Sequence, residues 1–329
     1  MTDAHSDRKS VTSTVVELEM DLVLASRVRV AEDVVHLVLK DPSGRHLPRW
    51  GAGAHIDLLV GGQTRQYSLC GDPSDRSGYE IAVLHVHDGR GGSAHIHDEL
   101  TVGDTVRVRG PRNHFALNPS PAYRFVAGGI GITPLLPMIA RAEAQGADWQ
   151  LVYGGRSLGS MAFAEELRSL GDRVVLWPQD ERGLIDLAAA VGAPAASTLV
   201  YCCGPEPLLA AVEQHCAGWP AGSLHVERFA KRSQDGAPEA LTEFEVELRQ
   251  SELVLQVPED RSILEVLEDA DVDVFSSCLE GVCGSCETPV VEGVPDHRDS
   301  VLSAEDRAAG KFMMVCVSRS CSRRLVLDI

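Results

Sequence analysis

The chain has 329 residues, 44% of them hydrophobic, a mean hydropathy of −0.04 and a formal net charge of −18. At about 100–200 residues per domain this length implies two or three globular domains, and the composition excludes a disordered chain. The acidity argues against nucleic acid or an anionic membrane as partner.

The first 17 residues read as a polar tail without the apolar core of a signal peptide, so a cytoplasmic location is expected. The longest apolar stretch, Phe125–Ala140, is interrupted by Pro134, Pro137 and several glycines and falls short of the roughly 20 residues of a membrane span.

Residues 18–118 carry short alternating runs separated by Gly, Pro and Asp turns: Asp21–Val30, Val34–Leu39, His55–Val60, Arg65–Cys70, Glu80–Val86 and Asp104–Arg109. This pattern predicts an antiparallel β-barrel. A boundary falls near Asn118–Ala122. From 119 to 229, apolar strands (Arg124–Ala127, Gln150–Tyr153, Val174–Trp177, Thr198–Cys203, Ser223–Glu227) alternate with helix-like stretches (Pro134–Ala144, Met161–Leu170, Gly183–Ala190, Pro207–Cys216). That alternation predicts a doubly wound α/β domain with a parallel sheet. Residues 230–242 are small and polar, with Gly236 and Pro238, and read as a linker. In 243–329, Glu243–Val257 reads as a hairpin and Ser262–Ala270 as a helix opened by a Ser262/Glu265 capping box.

Nine cysteines in an intracellular chain of this size point to metal or redox chemistry rather than disulfides. Cys278, Cys283 and Cys286 are spaced C-x4-C-x2-C, and Cys316 follows after 29 intervening residues. This is the plant-type [2Fe–2S] pattern. Thiolates are soft ligands suited to such a cluster, and Gly281 and Gly284 let the loop adopt positive φ and turn amide N–H groups toward sulfur. Zinc is the alternative, but its usual C-x2-C…C-x2-C symmetry is absent. The remaining Cys70, Cys202, Cys203, Cys216 and Cys321 read as packing residues, with Cys203 open to a second role.

Two further motifs lie in the barrel. Arg65-Gln66-Tyr67-Ser68-Leu69 offers an aromatic face, a hydroxyl and a cation on one strand, which suits a flavin and its phosphate, although Tyr and Ser are also ordinary strand residues. Arg90-Gly91-Gly92-Ser93 precedes a helix predicted over Ala94–Leu100 and brings backbone N–H groups to an anion. Pro111–Phe115 (PRNHF) is a third landmark.

In the α/β domain, Gly128–Pro134 (GGIGITP) follows a strand and opens a helix. It is not the G-x-G-x-x-G fingerprint, but Gly129 and Gly131 would admit a pyrophosphate, and Thr133 is expected to cap the helix. Cys203-Gly204-Pro205-Glu206-Pro207 follows a later strand. Both lie at C-terminal ends of parallel strands, where open α/β sheets bind ligands. Arg156-Ser157, after the second strand, could grip a 2′-phosphate.

The order of these motifs, with HVERF at 225–229, resembles the phthalate dioxygenase reductase family of the ferredoxin–NADP reductase superfamily, vanillate O-demethylase reductases included. The resemblance spans roughly Leu18 to Ile329. It implies an FMN barrel, a nicotinamide domain and a C-terminal β-grasp ferredoxin domain. It implies FMN contacts from Arg65, Tyr67, Ser68, Leu84, His85, Val86, Arg90, Gly91, Gly92, Ser93, Thr133 and Phe229, and a place beside the nicotinamide for Cys203, with Gly204 and Pro205. NADH is expected over NADPH. The implied reaction passes hydride from NADH to FMN, then single electrons through the cluster to a terminal oxygenase: a Rieske-type aromatic oxygenase or demethylase, or alternatively a cytochrome P450. No side-chain acid or base is required by that scheme. A monomer forming transient complexes is expected. From Glu243 to Ile329 there are 19 Asp and Glu against 8 Lys and Arg, a net −11. This reads either as a solubility device or as an acidic face for a basic partner.

Overall fold

The computed structural model describes residues 18–87, 89, 91–231 and 242–329. The 1–17 tail, Arg90 and most of the 230–242 linker lie outside the described residues.

The first sheet has six antiparallel strands: β1 (Glu19–Ala31), β2 (Val34–Lys40), β3 (His55–Val60), β4 (Gln63–Ser68), β5 (Tyr79–Leu84) and β6 (Thr105–Arg112). Their order is β4-β3-β6-β1-β2-β5, and a bridge from Leu69 to Ile81 joins the two edges, so the sheet curls into a barrel. Closure removes the exposed edges that an open sheet would present. Alternate residues such as Leu22, Leu24, Leu37, Leu39, Ile56 and Leu58 are fully buried inside it. Helix α1 (Gly92–Asp98) contributes the buried Ile96.

The second sheet is parallel: β7 (Ala122–Gly128), β8 (Asp148–Gly155), β9 (Val174–Pro178), β10 (Thr198–Cys203) and β11 (Leu224–Glu227). The order β11-β10-β7-β8-β9 places the topological switch between β7 and β10. Helices α2 (Leu135–Ala144), α3 (Ala164–Arg168), α4 (Gln179–Arg182), α5 (Leu187–Val191) and α6 (Glu206–His215) connect the strands. Two apolar clusters flank the sheet, one around Tyr123, Phe125, Trp149 and Tyr201, the other around Val126, Val200, Cys202 and Trp219. Strands buried on both faces explain why this region reads as continuous apolar runs.

The helix expected over Met161–Leu170 is shortened to α3 because Phe163 adopts φ 61°, which no continuing right-handed helix permits. Thr133 does not cap α2: Pro134 holds that position, and the Thr133 hydroxyl donates to the Ile130 carbonyl at 3.0 Å.

The third unit is built on β12 (Phe244–Leu248), β13 (Leu253–Val257), helix α7 (Ile263–Asp269), β14 (Glu287–Glu292), β15 (Pro295–Asp296), helix α8 (Ala304–Ala309), β16 (Phe312–Met314), β17 (Arg319–Ser320) and β18 (Arg324–Leu327). Its main sheet runs β13-β12-β18-β14-β16, with β12 parallel to β18. The capping box at α7 is formed: Ser262 N–H donates to Glu265 Oε2 at 2.7 Å and Glu265 N–H to Ser262 Oγ at 3.2 Å. Ile263, Leu264 and Leu267 of α7 bury against Phe244, Val246 and Leu325 of the sheet. Among the described residues, no helix is long and apolar enough to cross a membrane.

Candidate functional site

The four cysteines of the spacing motif converge. Cys278, Cys283 and Cys286 sit on one loop, and Cys316 closes the set from the turn after β16; Cys286 and Cys316 belong to the core of the third unit. The loop turns at Gly281 (φ 70°) and Gly284 (φ 74°), as the ligand spacing requires. Cys278 Sγ accepts from the N–H groups of Glu280 and Val282 at 3.3 and 3.5 Å, and Cys283 Sγ accepts from Ser285 N–H at 3.4 Å. Neighbouring thiols and these donors pull the Cys278 thiol well below its ordinary range. Four convergent sulfurs, two of them accepting from backbone N–H groups, fit an iron–sulfur cluster. The loop is locked from outside by Ser300 N–H donating to the Gly281 carbonyl at 2.7 Å.

Beside this loop lies a cavity of about 390 Å³. Of the residues picked out in the sequence, Arg65, Tyr67, Ser68, Leu84, Val86, Gly92, Ser93, Thr133 and Phe229 line it. Arg65, Tyr67 and Ser68 enter from β4, and Gly92 and Ser93 from the start of α1. Gly91 supplies the turn into α1 at φ 97°, a conformation that favours glycine. Ser93 Oγ accepts from Val86 N–H at 3.1 Å and ties that loop to the end of β5. Burial pushes the Tyr67 phenol up to about 12, so it stays a neutral, flat surface.

His85 does not reach the cavity. Side chains alternate along a strand, and with Leu84 and Val86 facing in, the His85 ring lies against His87 and His97, at 4.3 and 4.8 Å between centroids.

The cavity also contains His55 and Ala82 from outside the motifs, and Gln66, His114, Phe115, Ile130 and Glu227, which lie within the motifs but were given no individual role. Cys278, Glu280, Val282, Ser300 and Val301 of the cluster unit line the same space. Glu227 ends β11. It accepts from Ser68 and from Cys203, whose Sγ lies 3.9 Å from Oε2, and burial pushes its carboxyl up to about 8. Cys203 is fully buried, and burial together with Glu227 raises its thiol well above the ordinary value. The signal for Glu227 was present in HVERF: a carboxylate at the end of an otherwise apolar strand, next to the predicted site.

At the switch point, the loops after β7 and β10 interlock. A Cβ on Gly131 would lie 2.3 Å from the Cys203 carbonyl oxygen, and one on Gly204 would lie 3.0 Å from Gly128. Pro205 packs 2.6 Å from the corresponding position of Gly128, and Gly129 adopts φ 53°. Gly129, Gly131, Gly204 and Pro205 therefore meet at the C-terminal edge of the sheet. Arg156 stands exposed after β8, its carbonyl accepting from Asp180 N–H at 3.0 Å.

A barrel whose motif residues line a cavity, a parallel sheet with glycine-rich loops at its switch point and a four-cysteine ferredoxin unit together define a flavin- and pyridine-nucleotide-dependent iron–sulfur oxidoreductase. Family models agree: "Oxidoreductase FAD-binding domain" matches residues 21–117, "Oxidoreductase NAD-binding domain" 125–214 and "2Fe-2S iron-sulfur cluster binding domain" 246–321. The chain belongs to the phthalate dioxygenase reductase family, the reductase components of oxygenase systems. It is 40% identical to phthalate dioxygenase reductase of Burkholderia cepacia, over 94% of this chain and 97% of that one. It is 46% identical to the phenoxybenzoate dioxygenase subunit beta of Ectopseudomonas oleovorans, over 91% and 94%. A solved phthalate dioxygenase reductase matches at TM-score 0.68 and 39% identity, covering 94% of this chain and 98% of that one. An intact type IV self-sufficient cytochrome P450 monooxygenase matches at TM-score 0.88 and 46% identity; 94% of this chain corresponds to 41% of that longer protein.

Proposed function

We propose that the chain takes electrons from NADH onto FMN and delivers them singly, through a [2Fe–2S] cluster on Cys278, Cys283, Cys286 and Cys316, to a terminal oxygenase. The observation that carries this is the shared cavity: Tyr67 and Ser68 on one wall, Cys278 on another. When bound, the nicotinamide supplies a hydride, the flavin divides the electron pair, and the cluster passes electrons one at a time.

The protein's part is placement and electrostatics. Tyr67 offers its ring to the isoalloxazine face. Ser68 is held by Glu227, so its hydroxyl position at the flavin edge is fixed. Arg65, Ser93 and the N–H groups after Gly91 seat a phosphate, with Arg90 in the same motif. Gly131 and Gly204 let the β7 and β10 loops close on each other, and Gly129, with open space beside it, leaves room for a pyrophosphate at the switch point. Glu227 lines the cavity where the nicotinamide ring would lie, with the fully buried Cys203 behind it. Phe229 is 45% exposed, and a ring at the cavity mouth can cover the flavin until the nicotinamide displaces it.

FMN rather than FAD is supported by the family resemblance, which implies FMN, and by a cavity lined by Arg65, Gly92 and Ser93 as one anion seat. NADH rather than NADPH is supported by the family resemblance, which implies NADH, against an exposed Arg156 that could meet a second phosphate. Heat-released flavin identified by chromatography, and kcat/KM for the two nucleotides, test both points: FMN and at least a tenfold preference for NADH are expected. Released FAD, or equal use of NADPH, overturns them.

A Rieske-type oxygenase is the first reading of the partner. A cytochrome P450 is the second, favoured by the likeness to the fused P450 protein. Reduction of purified candidate oxygenases, slowing as salt screens an acidic docking face, distinguishes them.

A further inference from the structure

One strand carries a charge where a barrel exterior normally carries solvent-exposed residues. In β3, Ile56, Leu58 and Val60 point into the barrel core, so His55 and Asp57 point outward. Yet His55 is 6% exposed and Asp57 is fully buried. What covers them is the cluster loop. Ser277, the residue before Cys278, donates to Asp57 Oδ2 at 2.5 Å, across 220 positions of sequence. Arg112 Nη2 lies 2.6 Å from Asp57 Oδ1. A register shift in the β3–β6 pairing, between His55 and Asp57, sets Arg112 opposite His55 and turns it toward Asp57. The Arg112 guanidinium also lies over the ring of Phe275, three residues before Cys278, at 5.6 Å. Gly284 seats against the barrel's His114, so closely that a Cβ would fall 2.9 Å from its ring.

A buried ion pair is a poor device for stability alone, since desolvation offsets most of its attraction. Its placement under a redox loop gives it another use. Building on the proposed relay, we propose that Asp57 and Arg112 are positioning residues that seat the cluster loop against the flavin cavity, and that the Arg112 charge sets the electron affinity of the cluster. Each electron taken up adds one negative charge to the cluster and its four thiolates. A cation held in a low-dielectric site against the loop that carries three of those thiolates favours that reduced form. Asp57 opposes this in part, and by pairing with Arg112 and Ser277 it fixes the distance at which the cation acts.

The test uses the full-length holoprotein and measures the cluster midpoint potential by spectroelectrochemistry. Arg112→Gln should lower the cluster's electron affinity by about tenfold, which is 59 mV for one electron. Arg112→Lys should recover most of it, since charge survives while the planar fork does not. Asp57→Asn should move the potential the opposite way, because it leaves the Arg112 charge less compensated. Ser277→Ala keeps both charges. It should leave the potential near wild type but raise hydrogen exchange in the cluster loop, also in the apoprotein. Flavin reduction by NADH should stay unchanged in all four, which separates this proposal from failure of the relay itself. Equal potentials in Arg112→Gln and Asp57→Asn, or shifts of the same sign, overturn it. If Arg112→Gln does not fold, the opposed pair Arg112→Lys and Asp57→Asn decides: a rise in Asp57→Asn with near-wild-type Arg112→Lys supports the charge role, and no rise refutes it.

Discussion

The two cofactor sites are built in opposite ways. Three of the four proposed cluster ligands fall within the nine residues from Cys278 to Cys286, so one loop sets most of the geometry by itself. The proposed flavin cavity takes its walls from His55 to Val301 and exists only once three units have packed together. A local site depends on a few side chains and little else. An assembled site depends on the alignment of rigid elements, so it is damaged by backbone changes as readily as by loss of a contact. The two sites meet at Cys278, which is a ligand in the first and a wall of the second.

The comparison breaks most sharply at a ligand. Cys283→Ser should abolish electron transfer to one-electron protein acceptors, by more than roughly 100-fold, because even outer-shell changes at metal sites cost 10–100-fold. Reduction of the flavin by NADH, followed by its bleaching in stopped flow, should persist within a few-fold. Loss of both in a folded variant would show that the sites are not separable.

On the assembled site, the phosphate seat is the strongest single point. Arg65→Ala with Arg90→Ala should weaken flavin binding by about 100-fold or more, at about 1.5–3 kcal/mol for each charge-assisted hydrogen bond. Flavin retained at one equivalent after gel filtration would contradict that assignment. A smaller effect is expected from Gly131→Ala. The new methyl meets the Cys203 backbone, so the β7 and β10 loops must part, at a cost of about 1–3 kcal/mol. KM for NADH should rise several-fold while flavin content stays constant.

The same contrast governs how much could be read from the chain. Alternation and turns located β3 and β10 residue for residue, and the Ser262/Glu265 box located α7, because each signal lies inside its own element. The cluster loop was legible for the same reason. The seat beneath it was not: Asp57, Arg112 and Ser277 are far apart in sequence, and nothing local says that an outward Asp on a barrel strand is buried. His85 is a different case. Strand parity was already in the sequence, and it separates Leu84 and Val86 from His85. Thr133 failed as a cap because the chain after β7 takes a short 3-10 turn over Gly129–Ile132 before α2 begins, and the hydroxyl is used within that turn.

A pH-dependent effect is expected at Glu227, the carboxyl that joins the barrel to the nucleotide sheet through Ser68 and Cys203. Burial raises its pKa to about 8 from a model-peptide value of 4.5. A carboxyl raised on folding is most stabilising while protonated in both states, below about pH 4.5. That contribution declines as pH rises and is lost once pH passes about 8. Wild type should therefore lose thermal stability relative to Glu227→Gln between pH 5 and 9. Each kcal/mol of that loss corresponds to roughly 2–4 °C in Tm for a chain of this size. The gap should stop widening above pH 9, where the carboxylate is fully ionised in both states. Parallel melting curves for the two proteins across this range would mean that water in the cavity solvates Glu227, and that the joint between barrel and sheet is wet rather than sealed.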